Sequence, residues 1–455
     1  MTTLSDRMEA LGGPIELLRS PRSGVFPFPI RPEFTNWRDE QEAWRTTAVL
    51  FDQSHHMTDI TVEGPDTYRL LSALAANSFE GYGAMKAKQL VFCSPDGWMI
   101  GDAIGFCLAE NHVRIVGRPP ALNWVEFHAT TGDYDVAFRR DERTVQNRGG
   151  GREFFRFQLQ GPNAEHILEK VNGGPLPPIP FFGMGRIRVG DIEVTALNHR
   201  MSGFPGLEFF GPFADGAAVR EALLEAGEEY GLREGGARSY SSVATESGWI
   251  AGITPGVYTG EGMQAYRDWL PVDRFEANLI LAGSFVSDRV EDYYQTPWDL
   301  GYGFIIKHDH EFIGQDALKQ RAEEKHRRKA WLYWHRDDVA RVFASMYEQG
   351  DRRFKYIEMP SAFYGSMQFD RIEKAGHMIG LSTTAVYSSN VRSWLSLVMI
   401  DEDELTYGEE VDLVWGEPDG GSSNFVVERH VQTRIRATVG PKPFSGMTQG
   451  SSVKS

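Results

Sequence analysis

Residues 87–117, AKQLVFCSPDGWMIGDAIGFCLAENHVRIVG, hold three apolar runs joined by two short polar turns, SPDG and AENH. Runs of this length between turn-forming residues pair as adjacent antiparallel strands. This part of the chain is therefore committed to a β-meander, and the rest must cover it. Asp102 is a lone carboxylate between Gly101 and Ala103 in an otherwise apolar strand. A buried carboxylate costs free energy unless protein or ligand pairs it or hydrogen-bonds it. Arg118 ends the third strand at GRPPALNW, where two prolines stop further pairing. Arginines at strand ends are commonly solvated, but the planar guanidinium also grips a carboxylate in two places.

Around the meander the pattern is mixed α and β. Residues 1–20 read as one short amphipathic helix with Met8, Leu11, Ile15 and Leu18 on one face. Three prolines force an irregular path on GVFPFPIRPEF. There Phe26 and Phe28 either line a cavity or pin the loop to the core. NWRDEQEAWRTTAV is a helix, LFDQSHHMTDITVEG a turn into a strand, and GPDTYRLLSALAANS a turn into a helix. His55 and His56 are adjacent, so at most one faces a given site. Either is equally well a structural histidine, and no carboxylate or cysteine cluster makes them a metal pair. The run RRDERTVQNRGGGR, residues 139–152, reads as an exposed loop crossing between two subdomains. Its glycines are not a phosphate loop, because no Lys-Ser/Thr follows them.

FFRFQLQGPNAEHILEKV is strand, turn, helix. HRMSGFPGLEFFGP is a strand that carries Glu208 between apolar neighbours, and ADGAAVREALLEAGEEYG is a helix. His308 and His310 sit in KHDHEF, which reads as a solvated turn and not a metal site. The basic run EEKHRRKA marks a boundary. Beyond it AWLYWHRDD, HMIGLSTTAVYSSN, SWLSLVMI and GEEVDLVWGEPDGG alternate like strands of a small β-barrel or sandwich. The expected organisation is α+β: a core of two interleaved subdomains over 1–325, a β-barrel-like domain over 326–445, and a disordered tail over 446–455.

The stretch 234–260, EGGARSYSSVATESGWIAGITPGVYTG, is small, polar and glycine-rich, with three aromatic side chains: Tyr240, Trp249 and Tyr258. Small residues leave room for something else to pack, and phenols and an indole offer flat faces with polar handles. We read it as the wall of a ligand site with Tyr240 as the chemical group. The competing reading is a surface loop with buried aromatics.

A net charge of -16 disfavours nucleic acid and anionic membranes as partners. The two cysteines, Cys93 and Cys107, lie in apolar runs. They read as buried free thiols, which suits a reducing cytoplasm. No signal pattern opens the sequence and no apolar run approaches the ~20 residues of a membrane span. The expectation is a cytoplasmic protein.

LFDQSHHMTDITVEGPD, KAKQLVFCSPDGWMIGDAI, FQLQGPNA, SGFPGLEFFGP, LGYGFIIKHDHEFIGQDAL and MIGLSTTAVYSSN follow one another between Leu50 and Asn390. Together, in this order, they resemble the aminomethyltransferase family, the folate-binding T-protein of glycine cleavage. The resemblance implies a three-domain, cloverleaf-like fold around a central tetrahydrofolate channel. Some positions depart from the T-protein pattern. Gly101-Asp102 stands where that family has paired aspartates, Phe204-Pro205-Gly206 replaces Tyr-Thr-Gly-Glu, and Val243-Ala244-Thr245-Glu246 lacks the family's arginine. These argue against aminomethyl transfer. The stretch around Tyr240, the segment PEFTNWRDEQ and the segment FVSDRVEDYY are more similar to another branch, nearly end to end. That branch is the tetrahydrofolate-dependent aryl O-demethylases of lignin-derived vanillate, 3-O-methylgallate or syringate.

The resemblance implies roles. Glu208 matches the glutamate that holds the pterin, and Trp249 a folate-contacting tryptophan. Tyr240 matches the catalytic tyrosine, and His56 and Arg118 match residues of the aromatic-acid pocket. Phe26 and Phe28 replace tyrosines of the vanillate enzyme, which leans the expectation towards syringate. Asp102 would accept from folate or from a neighbouring donor. Tetrahydrofolate would be the methyl acceptor, with Tyr240 or His56 protonating the departing phenolate. A glycine-cleavage-type aminomethyltransferase or a non-catalytic folate-binding protein remains the alternative.

Overall fold

The meander takes its place in a five-stranded antiparallel sheet in the computed structural model, which describes residues 3–20, 29–147, 151–350, 353–421 and 424–444. The strand order is Lys86–Cys93, Met99–Ala109, His112–Gly117, Thr58–Glu63, Ala137–Asp141. A six-stranded sheet lies alongside it in sequence: Leu232–Gly235, Ala48–Asp52, Phe154–Gln160, Gly206–Pro212, Ile192–Leu197, Met184–Val189. The chain starts this second sheet with Ala48–Asp52, leaves to build the whole five-stranded sheet, then returns at Phe154. The two sheets are thus interleaved along the chain. Only the pairing of Ala48–Asp52 with Leu232–Gly235 is parallel in that sheet.

The C-terminal strands close into a barrel. Around it run His377–Ser388, Asp370–Lys374, Glu410–Trp415, Thr433–Gly440, Arg327–Trp334 and Ser393–Asp401, and the last pairs back with the first. Closure leaves no open edge on these six strands. The largest core cluster joins the five-stranded sheet (Leu90, Val113, Ile115) to barrel residues Leu381, Leu397 and Met399. The Pro-rich Phe26 and Phe28, part of the glycine run after Asn147, and the tail 446–455 lie outside the described residues.

Three local expectations are corrected. Residues 1–20 form two helices, Leu4–Leu11 and Pro14–Arg19, because Gly12 (φ 92°) and Gly13 (φ 137°) turn the chain between them. Leu11 is left exposed. The third meander strand ends at Gly117. Arg118 caps the helix Pro119–Thr131, whose first positions accept proline because their N–H groups have no helical partner. Among its described residues the 139–152 run is not exposed throughout. Ala137–Asp141 is the edge strand, and Arg143 and Arg152 are buried. Arg152 pairs with Asp59 at 3.2 Å and Asp141 at 3.3 Å, and Arg114 also binds Asp59. A charge run reads as solvated only until its partners, distant in sequence, fold beneath it.

Candidate active site

The stretch singled out in the sequence folds mainly as a helix, Ala237–Ser247. Its small residues let it sit tightly between the helix Trp37–Thr46 and the barrel strand His377–Ser388. At its start the buried carboxylate of Glu40 accepts from the backbone N–H of Phe34, Thr35 and Gly236, and from Ser239 Oγ. A negative charge at a helix N-terminus is also favoured by the helix dipole. At its end Gly248 takes the left-handed conformation (φ 90°), and a Cβ there would meet the Trp331 ring at 2.6 Å. Only glycine satisfies both demands. Near the C-terminus, Glu246 accepts from Trp44 Nε1 at 2.9 Å and Ser388 Oγ at 2.5 Å, tying the helix to the barrel.

One face of this helix (Ala237, Arg238, Tyr240, Ser241, Ala244, Thr245) lines a cavity of about 410 Å³. That is the size range of small-molecule sites. His56, Arg118, Tyr240 and Trp249 all line it, so four of the candidate residues converge. The barrel side adds Ser361, Thr383 and Leu397. Tyr258 does not line the cavity: it is a core residue whose hydroxyl donates to the Glu276 carbonyl at 2.8 Å.

His56 reaches the cavity through a tight turn after Ala48–Asp52. Asp52 Oδ1 accepts from the Ser54 N–H at 2.8 Å, and His55 turns away to Thr144 Oγ1 at 2.8 Å. The adjacent His56 faces Tyr240, its Nε2 3.1 Å from the phenol oxygen and the rings edge-to-face at 4.9 Å. Gln53 Nε2 donates to the same phenol oxygen at 3.2 Å. Burial, helped by the charge of Arg156, pushes the His56 pKa down to about 3. Burial pushes Tyr240 up to about 12, against the opposing pull of Arg156. At neutral pH the pair is therefore a neutral imidazole and an intact phenol. A neutral His56 carries no imidazolium proton to give.

Arg118 lies with its guanidinium 5.2 Å from the centre of the Phe275 ring and donates to the Ala251 carbonyl. Burial lowers it to about 10, with nearby Asp102 opposing the shift, and it stays charged at neutral pH. Arg143, which the sequence reading placed in a solvated run, lines the same cavity against the same Phe275 ring, also at 5.2 Å.

The two candidate carboxylates do not line the cavity. Asp102 Oδ2 accepts from Gln89 Nε2 at 2.8 Å, Tyr302 Oη at 3.2 Å and Trp249 Nε1 at 3.3 Å. It thereby holds the indole that forms part of the wall. Burial raises its pKa, partly offset by these hydrogen bonds. Glu208 is fully buried, with Arg156 at 3.4 Å and His199 at 3.3 Å. Burial alone would raise its pKa, but Arg156 and His199 hold it below the ordinary value. Among the described residues no group of three or more His, Cys, Asp or Glu is placed to hold a metal ion. Cys93 and Cys107 are buried free thiols. No helix among the described residues is long and apolar enough to cross a membrane.

Comparison with known proteins gives a consistent picture. The family model of the GCVT N-terminal domain matches residues 14–253. The chain is 44% identical over 448 residues to a syringate O-demethylase of a Sphingobium species, covering 98% of this chain and 97% of that one. It is 29% identical to a sesamin methylene transferase of a Sinomonas species, over 86% of this chain and 84% of the relative. In structure it matches the glycine cleavage system aminomethyltransferase T of Bartonella henselae with a TM-score of 0.59. That match has 16% identity and covers 90% of this chain and 89% of that one. The fold is thus the three-domain T-protein arrangement, completed by the closed barrel.

Proposed function

Because the chain belongs to the aminomethyltransferase (GCVT) family, in its tetrahydrofolate-dependent aryl O-demethylase branch, we propose that it transfers the methyl group of a lignin-derived methoxybenzoate to tetrahydrofolate. Syringate is the favoured substrate, ahead of vanillate and 3-O-methylgallate. The products are the phenol and 5-methyltetrahydrofolate. The observation that carries the reading is the intact Tyr240 phenol facing a cavity that also presents the Arg118 guanidinium. The 44% identity to a syringate O-demethylase supports the choice of substrate.

The residues present suit a reduced folate. Glu208 is a buried carboxylate whose contacts, at 3.3 and 3.4 Å, are long, leaving acceptor capacity for pterin N–H donors. Trp249, held by Asp102, offers a flat face. The bound folate supplies the amine, N5, that receives the methyl group. Glu208 and Trp249 would hold the pterin, and Arg118 the carboxylate of the aromatic acid. Fixing the two partners against each other replaces a bimolecular encounter with an oriented one, which removes much of the barrier.

Breaking an aryl–oxygen–methyl bond leaves a basic phenolate, and Tyr240 holds a proton for it. Gln53 Nε2 donates to the Tyr240 oxygen at 3.2 Å and His56 Nε2 stands 3.1 Å from it, so both side chains hold the phenol in place. A pKa raised to about 12 does not spoil the match with the leaving group. A phenolate departing into the same poorly hydrated cavity is made more basic by the same desolvation. His56 then orients the phenol and does not compete as the acid.

The test is incubation with tetrahydrofolate and a panel of methoxybenzoates, followed by chromatography. Release of the demethylated phenol together with 5-methyltetrahydrofolate, fastest with syringate, is expected. Absence of both products from every member of the panel would sink the proposal.

A further inference from the structure

The wall residue Trp249 is tied to the five-stranded sheet through a single oxygen atom. Asp102 Oδ2 accepts from Trp249 Nε1 at 3.3 Å, from Gln89 Nε2 at 2.8 Å and from Tyr302 Oη at 3.2 Å. Gln89 Nε2 also donates to Tyr302 Oη at 2.9 Å. The two hydrogens of that amide are thereby shared between the carboxylate and the phenol. The phenol accepts from Gln89 and gives its own hydrogen to Asp102. Gln89, Tyr302 and Asp102 close a triangle in which each bond polarises the next.

The corners come from different parts of the fold. Asp102 lies opposite Val91 in the antiparallel pair Lys86–Cys93 and Met99–Ala109. Gln89 stands two residues before Val91, so its side chain shares the face of Asp102. Tyr302 arrives from 200 residues beyond Asp102, immediately before the short helical turn Gly303–Ile305. Its ring centre stands 5.9 Å from Lys329 Nζ, on the barrel strand Arg327–Trp334, and that ammonium donates to the Leu300 carbonyl at 2.9 Å. The triangle therefore joins the sheet to the barrel beside the indole. An aromatic ring on a cavity wall has more than one rotamer open to it unless its edge is held. Nε1 lies on that edge, so the bond to Asp102 sets the plane that the indole presents, and the triangle sets the carboxylate.

We propose that Tyr302 and Gln89 are positioning residues for tetrahydrofolate: neither lines the cavity, and both act through Asp102 to fix the indole plane of Trp249 against the pterin. This rests on the assignment of Trp249 to the pterin under the reading above. A triangle of directional bonds suits this task better than packing alone, because it fixes an angle as well as a distance.

The test is calorimetric titration of the full chain with tetrahydrofolate and, separately, with syringate. Tyr302→Phe deletes one hydroxyl and keeps the ring beside Lys329. Gln89→Met deletes the amide at similar length. Each should weaken tetrahydrofolate binding about three- to tenfold, the range of one lost hydrogen bond, and leave syringate binding within about twofold. Trp249→Phe supplies the background that separates positioning from general support, since its ring has no N–H for Asp102 to hold. There, adding Tyr302→Phe should cost no further folate affinity. A double variant whose loss is the product of the two single losses would show that Tyr302 acts by another route, and would overturn the proposal. So would unchanged folate affinity in both single variants, equal losses for folate and syringate, or a parent that does not bind tetrahydrofolate. A parent that binds tetrahydrofolate in this pattern but demethylates no methoxybenzoate would remove the proposed reaction and leave the positioning role standing.

Discussion

Tyr240 and His56 face each other at 3.1 Å in opposite protonation regimes: burial keeps the phenol protonated and the imidazole neutral. They come from distant parts of the chain, one from a helix that follows the six-stranded sheet and one from the turn that leaves its second strand. The pairing narrows the choice of acid. A histidine with its pKa pushed down to about 3 has no imidazolium proton to donate at neutral pH, whereas the phenol keeps its own.

Tyr240→Phe removes one oxygen and keeps the ring against Phe51 and His56. General-acid assistance is worth ~10²–10⁴-fold, so kcat should fall by that order with little change in substrate binding. Methyl ethers of more acidic phenols leave more easily and should lose less. Steady-state kinetics over a series of ring-substituted methoxybenzoates checks both points. A uniform loss across the series would make Tyr240 a positioning residue.

Much of this was legible in the sequence. Hydrophobic alternation and turn residues located the meander, the strand of Glu208 and the barrel strands, since those depend on local pattern. The helical character of 237–247 was hidden, because the serines, Val243 and Thr245 there are poor helix formers, and the helix is held by Glu40 at its start and tied to the barrel by its own Glu246. Arg143 was misplaced for a related reason. Its burial depends on residues such as Phe275, more than a hundred positions away, and no spacing rule reports such a contact. Asp102 reads in the sequence as a carboxylate in need of a partner, and Glu208 as a carboxylate between apolar neighbours. Their partners Arg156, His199, Gln89 and Tyr302 emerge only when the sheets assemble.

Glu208→Gln keeps the shape and removes the charge. Tetrahydrofolate should then bind about tenfold or more weakly, because charge-assisted hydrogen bonds are worth ~1.5–3 kcal/mol. Calorimetry is the direct check, and unchanged affinity would take Glu208 out of the folate site. Glutamine is the better substitution than alanine, since truncation would strip the buried Arg156 of its carboxylate partner.

Arg118→Lys retains a positive charge but loses the planar fork. The parent should turn over syringate well ahead of its uncharged amide, and the variant should narrow that gap by raising KM for the acid alone. Equal turnover of acid and amide by the parent would give Arg118 another task.

His56 makes a prediction about stability. Its folded pKa, about 3, lies below the unfolded value of about 6.5. A depressed pKa means that the unfolded chain binds the extra proton first as pH falls. The stability linked to neutral His56 is thus present above pH ~6.5 and lost as pH falls from there towards 3. His56→Gln removes that titration, so its melting temperature should fall less than the parent's between pH 7 and pH 4. Parallel curves for the two proteins would show that His56 is not buried as a neutral group.

Glu246 runs the other way. It is buried among Trp44, Ser388 and Asn390, and burial raises its pKa to about 7, the hydrogen bonds from these neighbours offsetting only part of that. Its folded pKa is above the ordinary carboxylate value, so the folded chain holds this proton more tightly than the unfolded one. The stability it contributes is present at acid pH, below its unfolded pKa, and is lost as pH rises through about 7. Glu246→Gln supplies a permanently neutral group of the same shape that still accepts from Trp44. The variant should therefore match the parent near pH 5 and melt higher than it at pH 8. The helix Ala237–Ser247 is docked to the barrel through this residue, so the gain should also show as slower amide exchange along that helix at pH 8. If the variant melts lower than the parent at both pH values, Glu246 is held as a carboxylate by its three donors, and its charge stabilises the junction.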